Sequence, residues 1–207
     1  MLCKPLEKSK KQTKKKNMNK EIPSDYTRVT EILGRYTNLS SIPQSVLENA
    51  ADRGKRVHAL CEKYLKNPHE FHPFLIEIID DDCKGYFQSF LRWYENAKFT
   101  PFIIEKRLYD HELKITGQID LIGSYDANPE ELILVDFKTP QNSSKTWNLQ
   151  TAAYKMLAQT DLSLEIDRRA CLQLDKNGKT PRFVEFFDHE KDEELFLSAY
   201  DLHNFFY

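Results

Sequence analysis

Apolar residues recur along the chain in two rhythms, one of helices and one of strands. After Ser40–Ser41, Pro43 stands where a first-turn proline belongs, and Val46, Leu47, Ala50, Val57, Leu60, Cys61, Tyr64 and Leu65 follow at helical spacing. The spacing predicts a helix to about Lys66, with Gly54 as the point where it could break. Asp80–Asp82 lead into a second helix, in which Tyr86, Phe87, Phe90, Leu91 and Tyr94 recur at three and four and which ends before Pro101. Three strands follow, at about Phe102–Tyr109, Lys114–Gly123 and Leu132–Lys138. An Asp110–His111 turn joins the first two, and Asp126-Ala-Asn-Pro129 breaks the chain before the third, so the three form an antiparallel meander. Trp147, Gln150, Thr151, Tyr154, Leu157 and Ala158 mark a third helix. Strands at about Ile166–Leu174 and Arg182–Phe187 flank an Asn177–Gly178 hairpin turn, and Asp188 caps a last helix bearing Leu195, Phe196, Ala199, Tyr200 and Leu202. This α-α-β-β-β-α-β-β-α order predicts a mixed sheet wrapped by helices, an α/β or α+β fold.

Composition narrows the picture. A chain of 207 residues, 40% hydrophobic and 12% aromatic, has enough apolar surface for one ordinary domain despite 30% charged residues. The longest strictly apolar run is Leu132–Val135, far short of the ~18 residues of a membrane span, and the N-terminus shows no apolar signal core. A soluble cytoplasmic protein without membrane contact is expected. Cys3, Cys61, Cys83 and Cys171 are scattered, which points to neither a disulfide framework nor a zinc ribbon. Net charge is −2, but residues 1–20 hold eight of the 30 Lys and Arg and one of the 32 Asp and Glu, leaving 22 basic against 31 acidic residues beyond. Residues 1–21 therefore read as a disordered Lys-rich arm and 22–207 as the folded domain. The arm is either an electrostatic contact to nucleic acid or a solubilising tail.

Candidate chemistry sits where apolar strands end in charge. Leu132-Ile-Leu-Val-Asp136-Phe-Lys138 puts Asp136 and Lys138 on one strand face and Phe137 on the other. The preceding strand holds Asp120, expected on the face opposite Gly117, Ile119 and Leu121, and Gly117 is one of only six glycines, so it marks a close backbone approach. Asp120 and Asp136 on adjacent strands would repel unless a hard divalent cation lay between them, or unless Asp120 paired with Lys138 without metal. Two helical pairs at i and i+4 add candidates, His58 with Glu62 and Gln150 with Tyr154, and Trp147 lies one turn before Gln150. Glu105 is the one acidic residue inside the first predicted strand. His69-x-x-His72 sits between prolines without a second ligand pair, and Phe196, Tyr200 and Phe205 read as core.

The ordered set Arg53-Gly54, His58, Glu62, Glu105, Gly117-x-x-Asp120, Asp136-x-Lys138-Thr139 and Gln150-x-x-x-Tyr154 resembles the PD-(D/E)XK nuclease superfamily. It is most similar to the RecB-like exonuclease branch, which includes the mitochondrial genome maintenance exonucleases. The resemblance spans about residues 50–160. It implies a restriction-endonuclease-like core, a central mixed β-sheet flanked by helices. It further implies that His58, Asp120, Asp136 and the Phe137 carbonyl hold a catalytic Mg2+ or Mn2+. Lys138 would act with Asp120 and Asp136 in catalysis, orienting or activating the attacking water. Gln150, Tyr154 and Trp147 would contact DNA, with Glu62 and Glu105 supporting the ligands or touching the metal. The implied activity is metal-dependent hydrolysis of DNA phosphodiesters, by an exonuclease acting on single strands or ends. The alternative is a catalytically inactive nucleic-acid-binding module of the same fold. Cluster-bearing members of the branch use one upstream Cys and three near the C-terminus; only Cys171 lies beyond the site here, so no iron–sulfur cluster is expected. No helicase segment is present, which leaves the chain to act alone or to be recruited by a helicase or recombination protein.

Overall fold

A computed structural model of the chain describes residues 22–70 and 78–207. The Lys-rich arm and His72 lie outside the described residues. The chain starts with a two-residue strand, β1 (Thr27–Arg28), and a short helix, α1 (Val29–Gly34), neither of which shows a readable period at that length. Helix α2 (Gln44–Lys66) runs unbroken through Gly54, since a lone glycine costs a helix only about 1 kcal/mol. Pro43 stands one residue earlier than expected, outside the first turn. Helix α3 (Asp81–Ala97) leads into β2 (Phe99–Asp110), β3 (Ile115–Tyr125) and β4 (Asn128–Lys138), each longer than its apolar run. Then come α4 (Trp147–Leu162), β5 (Arg168–Gln173), β6 (Arg182–Phe186) and α5 (His189–Phe206). Asp188 stands at the cap position of α5 but makes no side-chain cap hydrogen bond.

The six strands form one mixed sheet. β2, β3 and β4 are the antiparallel meander, β4 pairs parallel with β5 across α4, and β6 returns antiparallel. One face packs Val57, Cys61 and Leu65 of α2 and Phe87, Phe90 and Trp93 of α3 against Leu121, Val135 and Phe137. The other packs α1, α4 and α5 against Leu108, Ile119, Ile122 and Leu134. Phe205 lies outside both cores and is 81% exposed.

Two irregularities position the site. In β2, Ile104 faces the α2–α3 core whereas Leu108, four residues on, faces the α4 core. β3 makes the same switch between Ile119 and Leu121. Strict alternation puts such pairs on one face, so both strands slip by one residue between the pairs Ile104–Leu121 and Lys106–Ile119. Glu105, with φ of 46°, sits at the slip in β2, and Asp120 sits at the slip in β3. Gly117 and Ile119 therefore do not share a face with Leu121, as the period alone suggests. The second irregularity is a change of partner. β3 pairs with β1 at Ile115–Thr116 and with β4 only from Leu121 onward. The sheet is thus forked beside Asp120.

On the far side of β4, Arg169 is fully buried and donates to Asp192 Oδ2 at 2.8 Å, to the Asn148 carbonyl at 2.9 Å and to Thr151 Oγ1 at 3.3 Å. Asn148 Nδ2 donates to Asp192 Oδ1 at 2.5 Å, which ties the first turn of α4 to β5 and α5. Asp192→Ala would leave a buried guanidinium without its counter-charge, an expected loss of about 3–5 kcal/mol read by urea denaturation. A loss below about 1 kcal/mol would show that the pair is not a keystone of this layer.

Candidate active site

The sheet fork creates a buried acceptor with an unusual duty. The β3–β4 ladder ends at Leu121–Val135, and the Phe137 N–H donates at 2.6 Å to Asp120 Oδ2 instead of to a main-chain carbonyl. The other oxygen, Oδ1, lies 3.1 Å from His58 Nδ1 on α2. Glu105 Oε1 lies 3.6 Å from the same nitrogen, and its Oε2 accepts from Gln118 Nε2 at 2.6 Å, with Arg107 donating to Gln118 from behind at 2.9 Å. Among the described residues, His58, Glu105 and Asp120 have donor atoms that all lie within 4.8 Å of one another. The Glu105 and Asp120 side chains are each 6% exposed, and that of His58 is 28% exposed.

Glu105 Oε1 is buried and has no hydrogen-bond partner. A carboxylate oxygen removed from water without a donor is costly, which calls for a cation in front of it. Two carboxylates and an imidazole form a donor set suited to a divalent cation. Electrostatics point the same way. Burial pushes Asp120 up to about 6, against the pull of His58 and with Asp136 and Glu105 adding repulsion. Burial also disfavours an imidazolium at His58, but the Asp120 and Glu105 carboxylates outweigh it and hold its pKa well above the ordinary value. A proton on His58 thus carries some of the charge that a cation would neutralise.

Asp136 and Lys138 project to the opposite side of β4, toward α4. Lys138 Nζ lies 2.5 Å from Asp136 Oδ2, so the lysine pairs with the acid of its own strand and not with Asp120. Gln150 ties the group together: its carbonyl accepts from Lys138 at 2.8 Å, and its amide reaches Asp136 Oδ1 at 3.3 Å and the Tyr154 hydroxyl at 2.9 Å. Burial lowers the affinity of Lys138 for its proton, yet Asp136 more than compensates and the net shift is upward. The Cys171 thiol donates to Asp136 at 3.8 Å, a contact the sequence reading missed because Cys171 lies on another strand, β5. Gly117 is the expected close approach: a Cβ there would fall 2.5 Å from the Tyr154 ring, so the glycine lets Tyr154 lie flat on β3.

Both groups open into one cleft of about 610 Å3, lined by His58, Asp120, Asp136, Phe137, Lys138, Gln150, Tyr154 and Trp147 among others. Trp147 is 5% exposed, with the Lys138 ammonium 5.8 Å from its ring centre. Glu105 and Glu62 line a second cavity that shares His58 and Asp120 with the cleft. Glu62 lies at its rim in an ion pair with Lys66 at 2.5 Å. Every residue that the resemblance implies for the metal, the catalysis or the DNA contact thus borders the cleft or this adjoining cavity. Phe137 also packs its ring against His58, with centroids 5.9 Å apart. Glu105, expected either to support the ligands or to touch the metal, stands within the donor cluster, beside Asp120 on the neighbouring strand.

Comparison with known proteins bears on the fold and the family. The crystal structure of a candidate exonuclease from Eubacterium rectale superposes with a TM-score of 0.56 over 92% of this chain and 83% of that chain, at 13% identity, and so shares the fold. The structure of SSO0001, 16% identical over 87% of this chain and 77% of that chain, reaches a TM-score of 0.38. No curated protein matches the chain. Residues 30–202 match the family model of the PD-(D/E)XK nuclease superfamily. With that match spanning β2 to β6 and both charged groups, the chain belongs to the PD-(D/E)XK nuclease superfamily.

Proposed function

We propose that the chain is a Mg2+- or Mn2+-dependent DNA phosphodiester hydrolase of the RecB-like exonuclease branch, acting on single strands or DNA ends. The observation that carries the reading is a cleft and an adjoining cavity, joined at His58 and Asp120, that together hold two charged groups of different character. One is a set of hard donors with a buried carboxylate oxygen that accepts no hydrogen bond; the other is a lysine held beside a carboxylate by Gln150. The fold shared with the Eubacterium rectale protein supports the exonuclease reading.

His58, Glu105 and Asp120 would hold the cation, with Asp136 and the Phe137 carbonyl completing the set that the resemblance implies. Bound there, a divalent cation neutralises phosphate charge and lowers the pKa of water. The chain's own groups do the rest. Lys138, kept protonated by Asp136, donates hydrogen bonds; it can orient a water molecule and offset charge developing on the phosphate oxygens. It is not free to abstract a proton while it carries one. Gln150 fixes the lysine's direction, and Tyr154, whose hydroxyl is held neutral by burial, supports Gln150. In this reading a helicase or recombination protein can recruit the chain to DNA.

Two measurements test this reading. Mn2+ is expected to raise the melting temperature of the wild type, through mass action on the folded state, and to raise it far less in Asp120→Asn or Glu105→Gln. The ion competes with protons for these donors, so its affinity should fall as pH is lowered through about 6, where Asp120 becomes protonated. The absence of any stabilisation by Mn2+ or Mg2+ would reject the cation site. Labelled single- and double-stranded oligonucleotides with each metal test the chemistry. Lys138→Ala and Asp136→Ala should cut cleavage by at least about 100-fold, with circular dichroism confirming the fold and with Lys138→Ala keeping its response to Mn2+. Metal-independent binding of DNA with no cleavage in any metal would instead establish an inactive binding module.

A further inference from the structure

The cleft has a wall that the chemistry above does not use. Leu39 and Ile42, from the loop before α2, and Val46, Leu47 and Ala50, from the start of α2, line the same cavity as Asp136, Lys138 and Gln150. Leu39, Ile42 and Val46 are 43%, 37% and 52% exposed. Single exposed aliphatic side chains are ordinary, but three in a cleft that also holds His58, Asp120, Asp136 and Lys138 suit an occupant that is apolar on one side and anionic on the other. Trp147 and Pro140 also line this cleft, yet Trp147 is only 5% exposed. The aliphatic wall therefore supplies the accessible apolar surface.

A nucleotide has this two-sided character, with a phosphate for the charged groups and a flat base for the wall. At about 610 Å3 the cleft matches the size of a small-molecule site and not of a duplex. In a duplex the base faces are stacked on one another and only groove edges are open, so apolar contact with a face requires an unpaired base. The residues lining the cleft between Leu39 and Ala51 carry no side-chain donor or acceptor, so the wall can hold a base but cannot read its edge.

We propose that Leu39, Ile42 and Val46 form a base-packing slot that takes the unpaired base beside the scissile phosphate. The slot selects single-stranded over duplex nucleic acid and is indifferent to base identity. This rests on the hydrolase reading above and names what decides its substrate.

The test pairs an Ile42→Ser/Val46→Ser double variant with single-stranded oligonucleotides whose labelled end is either normal or abasic. Both side chains are substantially exposed, so the variant should keep its fold, which circular dichroism checks. The wild type is expected to show a KM at least about 5-fold higher on the abasic end, with kcat little changed. The variant should show the same rise on the normal end and no further rise on the abasic one. Runs of dT, dA and dC should give similar KM values in the wild type. Unchanged KM in the variant on normal ends, or equal KM for normal and abasic ends in the wild type, would overturn the slot. If the wild type cleaves nothing, the hydrolase reading fails separately. Fluorescence anisotropy of the labelled normal oligonucleotide then decides the slot: weaker binding by the variant supports it, and equal binding overturns it.

Discussion

The hydrogen bond from the Phe137 amide to the Asp120 carboxylate is the constraint around which the rest is arranged. A buried amide must find an acceptor, and here the neighbouring strand has turned away to pair with β1. Asp120 fills the gap, and in doing so a charge is fixed in the middle of a sheet. Its second oxygen then needs a partner, which brings in His58 from α2. Because the slip in β3 is matched in β2, Glu105 arrives at the same point from the other side. The donor cluster is thus a consequence of the way three strands share too few edges.

β4 carries the other half. Its alternation sends Phe137 into the α2–α3 core and Asp136 with Lys138 toward α4, so one strand end serves two environments. Both charges are buried, and each would be costly alone; together, and with both polar ends of the Gln150 amide engaged, they are satisfied. Gln150 and Tyr154 keep this geometry because the start of α4 is anchored from below by Arg169 and Asp192.

Much of this was readable beforehand, for physical reasons. Long amphipathic helices such as α2 and α3 and the apolar run ahead of Asp136 announce themselves through period and burial. The i, i+4 spacing of Gln150 and Tyr154 was enough to place both on one face of α4, where they hydrogen-bond. The glycine at 117 was legible because a strand has little other use for one, and Tyr154 rests on it. Other features were hidden. β1 and α1 are too short to show a period. The slip at Glu105 and Asp120 breaks the alternation on which a strand reading depends, and so left open whether Glu105 supports the ligands or joins them. The contact of Cys171 with Asp136 and the burial of Arg169 depend on parallel pairing across a crossover, which local pattern does not encode. Of the aliphatic wall, Val46 was legible only as one apolar position of α2, and Leu39 and Ile42 lie before that helix, where no period singles them out.

The parallel pairing of β4 with β5 also bears on how this protein comes into being. The strand that ends in Asp136 and Lys138 has one edge covered by β3 and the other by Arg168–Gln173, which follows only after the whole of α4. Such distant pairings form late, because a long loop must close first. During synthesis, a nascent chain that has emerged only through α4 lacks half of the support for its charged strand end. The support for Asp136 and Lys138 is therefore complete only once the ribosome has delivered β5, so that this half of the centre is the last to be set in place.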